Sequence, residues 1–400
     1  MTMNYHLEST NKRIYFEPST GPLDINPYGE IYYPSIDFTR KFIRYDFADE
    51  WNNLGYGKIL IDGSKWSISK NDVDESIFTE VLAYIHGNSK KIVYCGIIEK
   101  DGMATIWFNR QVGPQDGIDI WILEDFLANY KTEQFGSVPI ISEIPYGYDG
   151  AVTMRLDCDE EISTARELFE LYKEHNIPFS LAIKTSLDLN GEHKQLIHDV
   201  IKSRGAIVSH SHNHLENWGG SKESAYKDIS KSISELKKVL PKDYTYNYVV
   251  SPFHQNSLDA IKGLEKYGIK GFIGGIIKND PDFLKGRATK IENLDIFTHS
   301  QQCMLHGDCY RKSNLEIYKE SFNNHLKTHT FFGYLDHPFS NYKYGWKDEH
   351  ERLNAHDEFL KMIKSNEKIW YANLIEAMEF LLKQIKGTKT NEEFLISMNK

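Results

Sequence analysis

Three short segments carry side chains able to hold or move charge, and each follows an apolar run. They are Arg155-Leu156-Asp157-Cys158-Asp159, Ser209-His210-Ser211-His212-Asn213-His214 and Gly333-Tyr334-Leu335-Asp336-His337-Pro338. In an extended strand, residues two apart point to one face and stand roughly 6.6 Å apart. Asp157 and Asp159 therefore aim into the same space. Two carboxylates that close repel unless a cation lies beside them; the structural alternative is that one caps the following helix. His210 and His214 would be roughly 13 Å apart in an extended chain, too far to share an ion. A helical turn brings i and i+4 to roughly 6 Å, where both imidazoles can meet one metal at roughly 2.1 Å. His337 ends an apolar strand and precedes a proline. Alone it reads as a packed histidine; it gains meaning if it shares a rim with the other two segments.

Two histidines and one carboxylate form a facial triad that leaves positions open for water and substrate. Zinc in such a site lowers the pKa of bound water toward roughly 7. A carboxylate outside the coordination shell can take the water proton, and a histidine across the site can protonate a leaving group. The chemistry this describes is metal-assisted hydrolysis of an amide or ester.

The elements needed to present these groups are written in the periodicity. AVTMRLD, IPFSLAIKT, AIVSH, YTYNYVV, IKGFIGG, LDIFTHS, TFFGYLDH and KIWYA read as strands. ISTARELFELYKEHN, HKQLIHDVIKSRG (closed by Gly205 as cap), SKESAYKDISKSISELKKVL (ended by Pro241), SLDAIKGLEKYG, NLEIYKESFNNHLKT, HERLNAHDEFLKMIKS and LIEAMEFLLKQIK read as helices. Strand and helix in alternation imply a mostly parallel sheet. Eight units close a (β/α) barrel and seven leave it distorted; either way the strand ends share one face, where such folds do their chemistry.

The first 145 residues read as a smaller α+β domain. ILID, GIDIWIL and KIVYCGIIEKDGMATIWFN look like strands, the last with a hairpin at Asp101-Gly102, while FTEVLAYIH and LEDFLANY look like short helices. The expected division is 1–147 for this domain, 148–386 for the barrel and 387–400 for a C-terminal tail.

Length and charge agree with two globular domains. The chain has 400 residues, and 47 basic against 57 acidic side chains leave a net charge of −10, which argues against nucleic acid or an anionic membrane as partner. No apolar run reaches the roughly 20 residues of a membrane span. The opening MTMNYHLESTNKRIYFE lacks a signal-peptide core, so a cytoplasmic location is the expectation. Scattered Cys95, Cys158, Cys303 and Cys309 suit free thiols.

In order and spacing, Asp157-x-Asp159, His210-Ser211-x-x-His214 and Leu335-x-His337 resemble the polysaccharide deacetylases of carbohydrate esterase family 4, the NodB-homology group. The resemblance covers about residues 148 to 386. It implies a distorted (β/α) barrel of about seven strands, with Asp157 as general base, Asp159, His210 and His214 as metal ligands, and His337 as general acid. It also implies zinc or another divalent transition ion, and removal of an acetyl group from an N-acetylated sugar or glycan. The expected setting is surface polysaccharide or glycoconjugate synthesis, with self-association left open.

One position departs from the family. An arginine normally stands two residues before the proline of the third motif, where this chain has Val250 in Val249-Val250-Ser251-Pro252-Phe253-His254. Arg155, on the strand face of Asp157, can take over its carboxylate. The backbone N–H of Phe253 can still serve an oxyanion. His254 and Leu335 complete the supporting residues. His299, His306 and Asp308 are weaker candidates for substrate contact, and Trp218 and Trp346 either stack on sugars or pack under loops. Two other readings use the same residues: a non-catalytic glycan- or partner-binding barrel, and a metal-dependent phosphoesterase built on His210-x-His212.

Overall fold

The structure is a computed structural model. It describes residues 142–387 with short gaps between 275 and 343, residues 73–87, 90–108 and 118–140, and isolated strands between 13 and 69. The tail beyond 387 and most of ILID lie outside the described residues. From Val73 onward the described residues fall into two compact units, one up to Ile140 and one from Ser142. Among them no helix is long and apolar enough to cross a membrane.

In the first unit Glu80–Gly87, Lys90–Lys100 and Met103–Phe108 form an antiparallel sheet, followed by a helix over Ile118–Asn129. Asp101 (φ 52°) and Gly102 (φ 76°) make the tight turn between the paired Lys100 and Met103, the left-handed pair that matches strand twist. Two segments differ in type from expectation. FTEVLAYIH is a strand, because its β-branched and aromatic residues pair with Lys90–Lys100. GIDIWIL is the start of the Ile118–Asn129 helix; a short apolar run does not distinguish strand from helix, and this one continues directly into LEDFLANY.

The second unit is built from β1 (Gly150–Cys158), α1 (Arg166–Glu174), β2 (Ser180–Ile183), α2 (Gly191–Lys202), β3 (Ala206–Ser209), α3 (Lys222–Val239), β4 (Tyr248–Val250), α4 (Leu258–Lys266), β5 (Gly271–Ile273), β6 (Phe297–His299), α5 (Glu316–Thr328), β7 (Phe331–Asp336), α6 (Glu349–Lys364), β8 (Ile369–Ala372) and α7 (Leu374–Gly387). These strands pair in parallel in the order β6-β5-β4-β3-β2-β1-β7, with β8 on the first half of β1. This is the distorted (β/α) barrel. Gly205 is not the left-handed cap of α2; Arg204 is (φ 63°). Glycine is needed at 205 because a Cβ there would run into the Phe179 carbonyl.

Strand β1 holds the unit together. It pairs with β7 along Ala151–Leu156, with β8 along Gly150–Thr153 and with β2 along Arg155–Cys158. Its even-numbered residues Val152, Met154, Leu156 and Cys158 pack in one core with Leu168, Phe169 and Tyr172 of α1 and Phe359 of α6. Ala151 joins a second core with Ala182, Val208, Val250 and Ile273, beside Ala377, Met378 and Leu381 of α7. Alternation then puts Arg155 and Asp157 on the Ala151 face.

The same alternation sends Asp336 of β7 toward the helices. It is fully buried and accepts from Arg352 Nε (2.9 Å), His356 Nε2 (3.0 Å) and Trp346 Nε1 (3.3 Å). The Tyr172 hydroxyl lies 2.9 Å from His356 Nδ1 and 2.8 Å from the Tyr334 hydroxyl. Burial would raise the Asp336 carboxyl, but Arg352 and His356 outweigh it and hold the pKa down at about 2. A folded pKa below the unfolded value of about 3.9 adds stability that is complete above pH 4 and lost as pH falls through 2. Urea unfolding should therefore show Asp336→Asn losing about 3–5 kcal/mol at pH 7, because the buried Arg352 keeps only Glu349 and the buried His356 loses its carboxylate. The deficit relative to wild type should shrink between pH 4 and 2; a deficit constant over that range would contradict the assignment.

Candidate metal centre

Asp159 follows β1, and the loop after β3 carries both histidines to it. Its Oδ1 lies 3.3 Å from His210 Nε2 and 3.2 Å from His214 Nε2, and the two imidazole nitrogens are 3.0 Å apart. Candidate ligand atoms of all three residues lie within 4.8 Å of one another. His337, just past β7, places Nε2 3.7 Å from Asp159 Oδ2. Asp157 stands at the end of β1, where Arg155 Nε donates to Oδ1 at 2.8 Å and an Nη reaches Oδ2 at 3.4 Å, all of it buried. Five groups from three distant segments meet here.

The histidine loop is not the helical turn that the i, i+4 spacing suggests. Ser211 (φ 66°) and His214 (φ 53°) are both left-handed and fold the chain back. The Ser211 hydroxyl accepts the His214 N–H at 2.9 Å, and the Ser209 hydroxyl accepts the Ser211 N–H at 3.1 Å. The buried Asp228 of α3 takes the N–H groups of His212 (2.7 Å) and Asn213 (2.9 Å). Sequence reasoning passed over Asp228, yet a signal was present. It lies on the buried stripe Ala225, Ile229, Ser232, Leu236, where an unpartnered carboxylate is costly.

The donor set fits a divalent cation. His210 Nδ1–H donates to the Val250 carbonyl at 3.0 Å, so the lone pair of a neutral ring sits on Nε2, facing Asp159. Asp159 Oδ1 is buried and accepts no hydrogen bond. Asp159 Oδ1 and His210 Nε2 thus face each other as electron-rich atoms with His214 Nε2 beside them, an arrangement that suits a positive charge between them. Burial would lift the Asp159 carboxyl, but His210, His337 and His214 hold it far below the ordinary range. Burial, helped by His210, pushes His214 down to about 4, whereas Asp157 and Asp159 overcome burial and raise His210. Asp157 is likewise lowered, burial being outweighed by Arg155, His210, His254 and His337. Burial lowers His337.

The remaining expected residues divide. Phe253 (φ 51°) and His254 (φ 52°) are consecutive left-handed residues after Pro252, and the Phe253 ring lies 4.5 Å from that of His214. His254 is buried with Nδ1 unbonded, and burial with Arg155 nearby pushes it down to about 3. Leu335 is buried in β7, where its carbonyl accepts the Leu305 N–H. Trp218 and Trp346 are packed, their indole N–H groups donating to Asn256 and Asp336. His299 is buried 3.7 Å from Glu143, and His306 donates its backbone N–H to Tyr318. Asp308 lies outside the described residues. Two further side chains touch the site without having been expected there: Lys184 Nζ donates to the Asp159 carbonyl at 3.1 Å, and the Tyr344 hydroxyl to Asp159 Oδ2 at 3.2 Å.

Residues 156–272 match the sequence pattern of the polysaccharide deacetylase family, a stretch that holds Asp157, Asp159, His210, His214 and the Val250–His254 turn but stops before His337. Over this stretch the chain is similar to the polysaccharide deacetylases. None of the curated proteins matches it by sequence. Among solved structures, a Mycobacterium smegmatis protein assigned to the polysaccharide deacetylases superposes with a TM-score of 0.50 at 14% identity, covering 64% of this chain and 96% of that one. Puue allantoinase gives 0.49 at 12% identity, over 66% and 97%. A Pseudomonas aeruginosa PAO1 protein, also assigned to the polysaccharide deacetylases, gives 0.47 at 11% identity, over 62% and 95%. At 14% identity the first of these likenesses speaks to the fold alone.

Elemental analysis of the full chain should find one divalent ion per chain, lost in His214→Ala and in Asp159→Ala but kept in Asp157→Asn. Asp228→Asn should weaken metal affinity by about 10- to 100-fold through the loop it anchors, read by cobalt titration. Full retention in His214→Ala would refute the ligand set.

Proposed function

We propose that the chain is a metal-dependent hydrolase that removes an acetyl group from an N-acetylated sugar, with zinc held by Asp159, His210 and His214. Its place would be in surface polysaccharide or glycoconjugate synthesis, acting on a precursor in the cytoplasm. The observation that carries the reading is the meeting of Asp157, Asp159, His210, His214 and His337 at one rim of a polysaccharide deacetylase barrel.

A zinc ion bound there supplies Lewis acidity and lowers the pKa of a coordinated water toward roughly 7. The chain's own residues supply the rest. Asp157, kept ionised by the Arg155 guanidinium, is the base that takes the proton from the attacking water. The backbone N–H of Phe253 is the donor for the oxygen that becomes negative as the amide carbonyl turns tetrahedral. His337, in its protonated form and beside the Asp159 carboxylate, gives its proton to the departing sugar amine, so that a neutral amine leaves.

The valine at the third motif does not weaken this reading. The arginine normally found there serves the base carboxylate, and here Arg155 holds that carboxylate from two residues back on the same strand face. That observation favours an enzyme over a binding barrel.

Purified protein loaded with zinc should release acetate from an N-acetylated sugar. Asp157→Asn should abolish release with metal still bound, and His337→Ala should lower kcat by about 10²- to 10⁴-fold. Arg155→Met should also cut kcat, as Asp157 loses the charge that keeps it ionised. Release of phosphate from a sugar phosphate, with no acetate from any N-acetylated sugar, would replace the proposal with the phosphoesterase.

A further inference from the structure

Tyr344 stands in the loop between β7 and α6, where no periodicity or motif marks it, and it touches both the ligand and the acid. Its hydroxyl donates to Asp159 Oδ2 at 3.2 Å. Its ring lies flat on the His337 imidazole, centroids 3.7 Å apart and planes within 4° of parallel. The carboxylate of Asp159 is thereby divided: Oδ1 faces His210 and His214, while Oδ2 is taken by the phenol.

The backbone at this residue is strained and braced. Tyr344 has φ 63°, a region that bulky side chains rarely occupy, and Gly345 follows at φ 69°. Gly307 donates its N–H to the Tyr344 carbonyl at 3.0 Å, and the Arg311 guanidinium donates to the Gly345 carbonyl. Gly307 packs so closely that a Cβ there would collide with the Gly345 carbonyl. Strain held by such a brace, at a ring stacked on the candidate acid, is the signature of a functional constraint.

We propose that Tyr344 is a positioning residue. It restricts Asp159 to binding the metal through Oδ1 and holds the His337 ring at the angle from which it reaches the substrate nitrogen. The inference rests on the metal-dependent hydrolase reading above. Neither contact adds a reacting group. Both set where reacting groups point, and small errors of that kind are expensive in rate.

Tyr344→Phe keeps the ring and removes the hydroxyl; Tyr344→Leu removes both. The cobalt Kd of the metal-stripped full chain, measured by visible absorption, should rise by about 10- to 100-fold in both variants. At saturating cobalt, kcat should fall by roughly tenfold or more in Tyr344→Leu with KM unchanged, and by less in Tyr344→Phe. Melting of the metal-free variants should match wild type, which separates positioning from folding. Should Tyr344→Leu fail to fold, Gly307→Ala, which displaces the same turn, should reproduce its loss of kcat. A wild-type cobalt Kd in Tyr344→Phe, or an unchanged kcat in the folded ring variant, overturns the proposal. A wild type that binds cobalt but releases no acetate ends the deacetylase reading and leaves the cobalt constants to decide Tyr344. One that binds no cobalt overturns both.

Discussion

Three candidate ligand atoms packed within 4.8 Å of one another, Asp159 Oδ1 with Nε2 of His210 and His214, are the constraint that the surrounding barrel serves. Left to itself such a cluster would open or fill with protons. The two rings are shifted in opposite directions, His210 up by Asp157 and Asp159 and His214 down to about 4 by burial and His210. A divalent ion between them would satisfy all three atoms at once. Around them, the Val250 carbonyl, the Ser211 hydroxyl, Asp228, Lys184 and Tyr344 each hold an outer atom or the backbone of a ligand. That shell makes the crowding permanent.

The two-residue period of the strands divides the labour between neighbouring residues. Asp336 and His337 are adjacent, yet the first is locked to Arg352 and His356 under α6 and the second reaches the rim. Leu156 and Cys158 pack against helices while Arg155 and Asp157 face the barrel. Arg155 reaches Asp157 for the same reason. β1 supplies Asp157 with a guanidinium from its own inward face, while Val250 joins the second core.

Strain collects at the same rim. Ser211, His214, Phe253, His254 and Tyr344 all have left-handed backbone without being glycine, each at a cost of about 1–3 kcal/mol. The hydrogen bonds to Ser211, Asp228 and Gly307 resist relaxation of the loops they brace. The buried Asp336 network ties β7 to α6 beneath one of those loops.

Much of this protein could be read from its residues alone. The strand and helix rhythm after residue 148 specifies a parallel barrel, because hydrophobic period and crossover geometry are local. The pairing of Asp157 with Asp159 on one face follows from strand alternation, and the Asp-Gly hairpin from the preference for positive φ. The two segments read with the wrong type, FTEVLAYIH and GIDIWIL, were short apolar runs whose state depends on a ladder partner. Tertiary structure alone decided that His210 and His214 meet through two left-handed residues instead of a helical turn, that Asp228 anchors them, and that Tyr344 lies on His337. Those outcomes depend on hydrogen bonds and ring contacts between residues up to 185 positions apart, and such long-range contacts leave no period in the sequence between them.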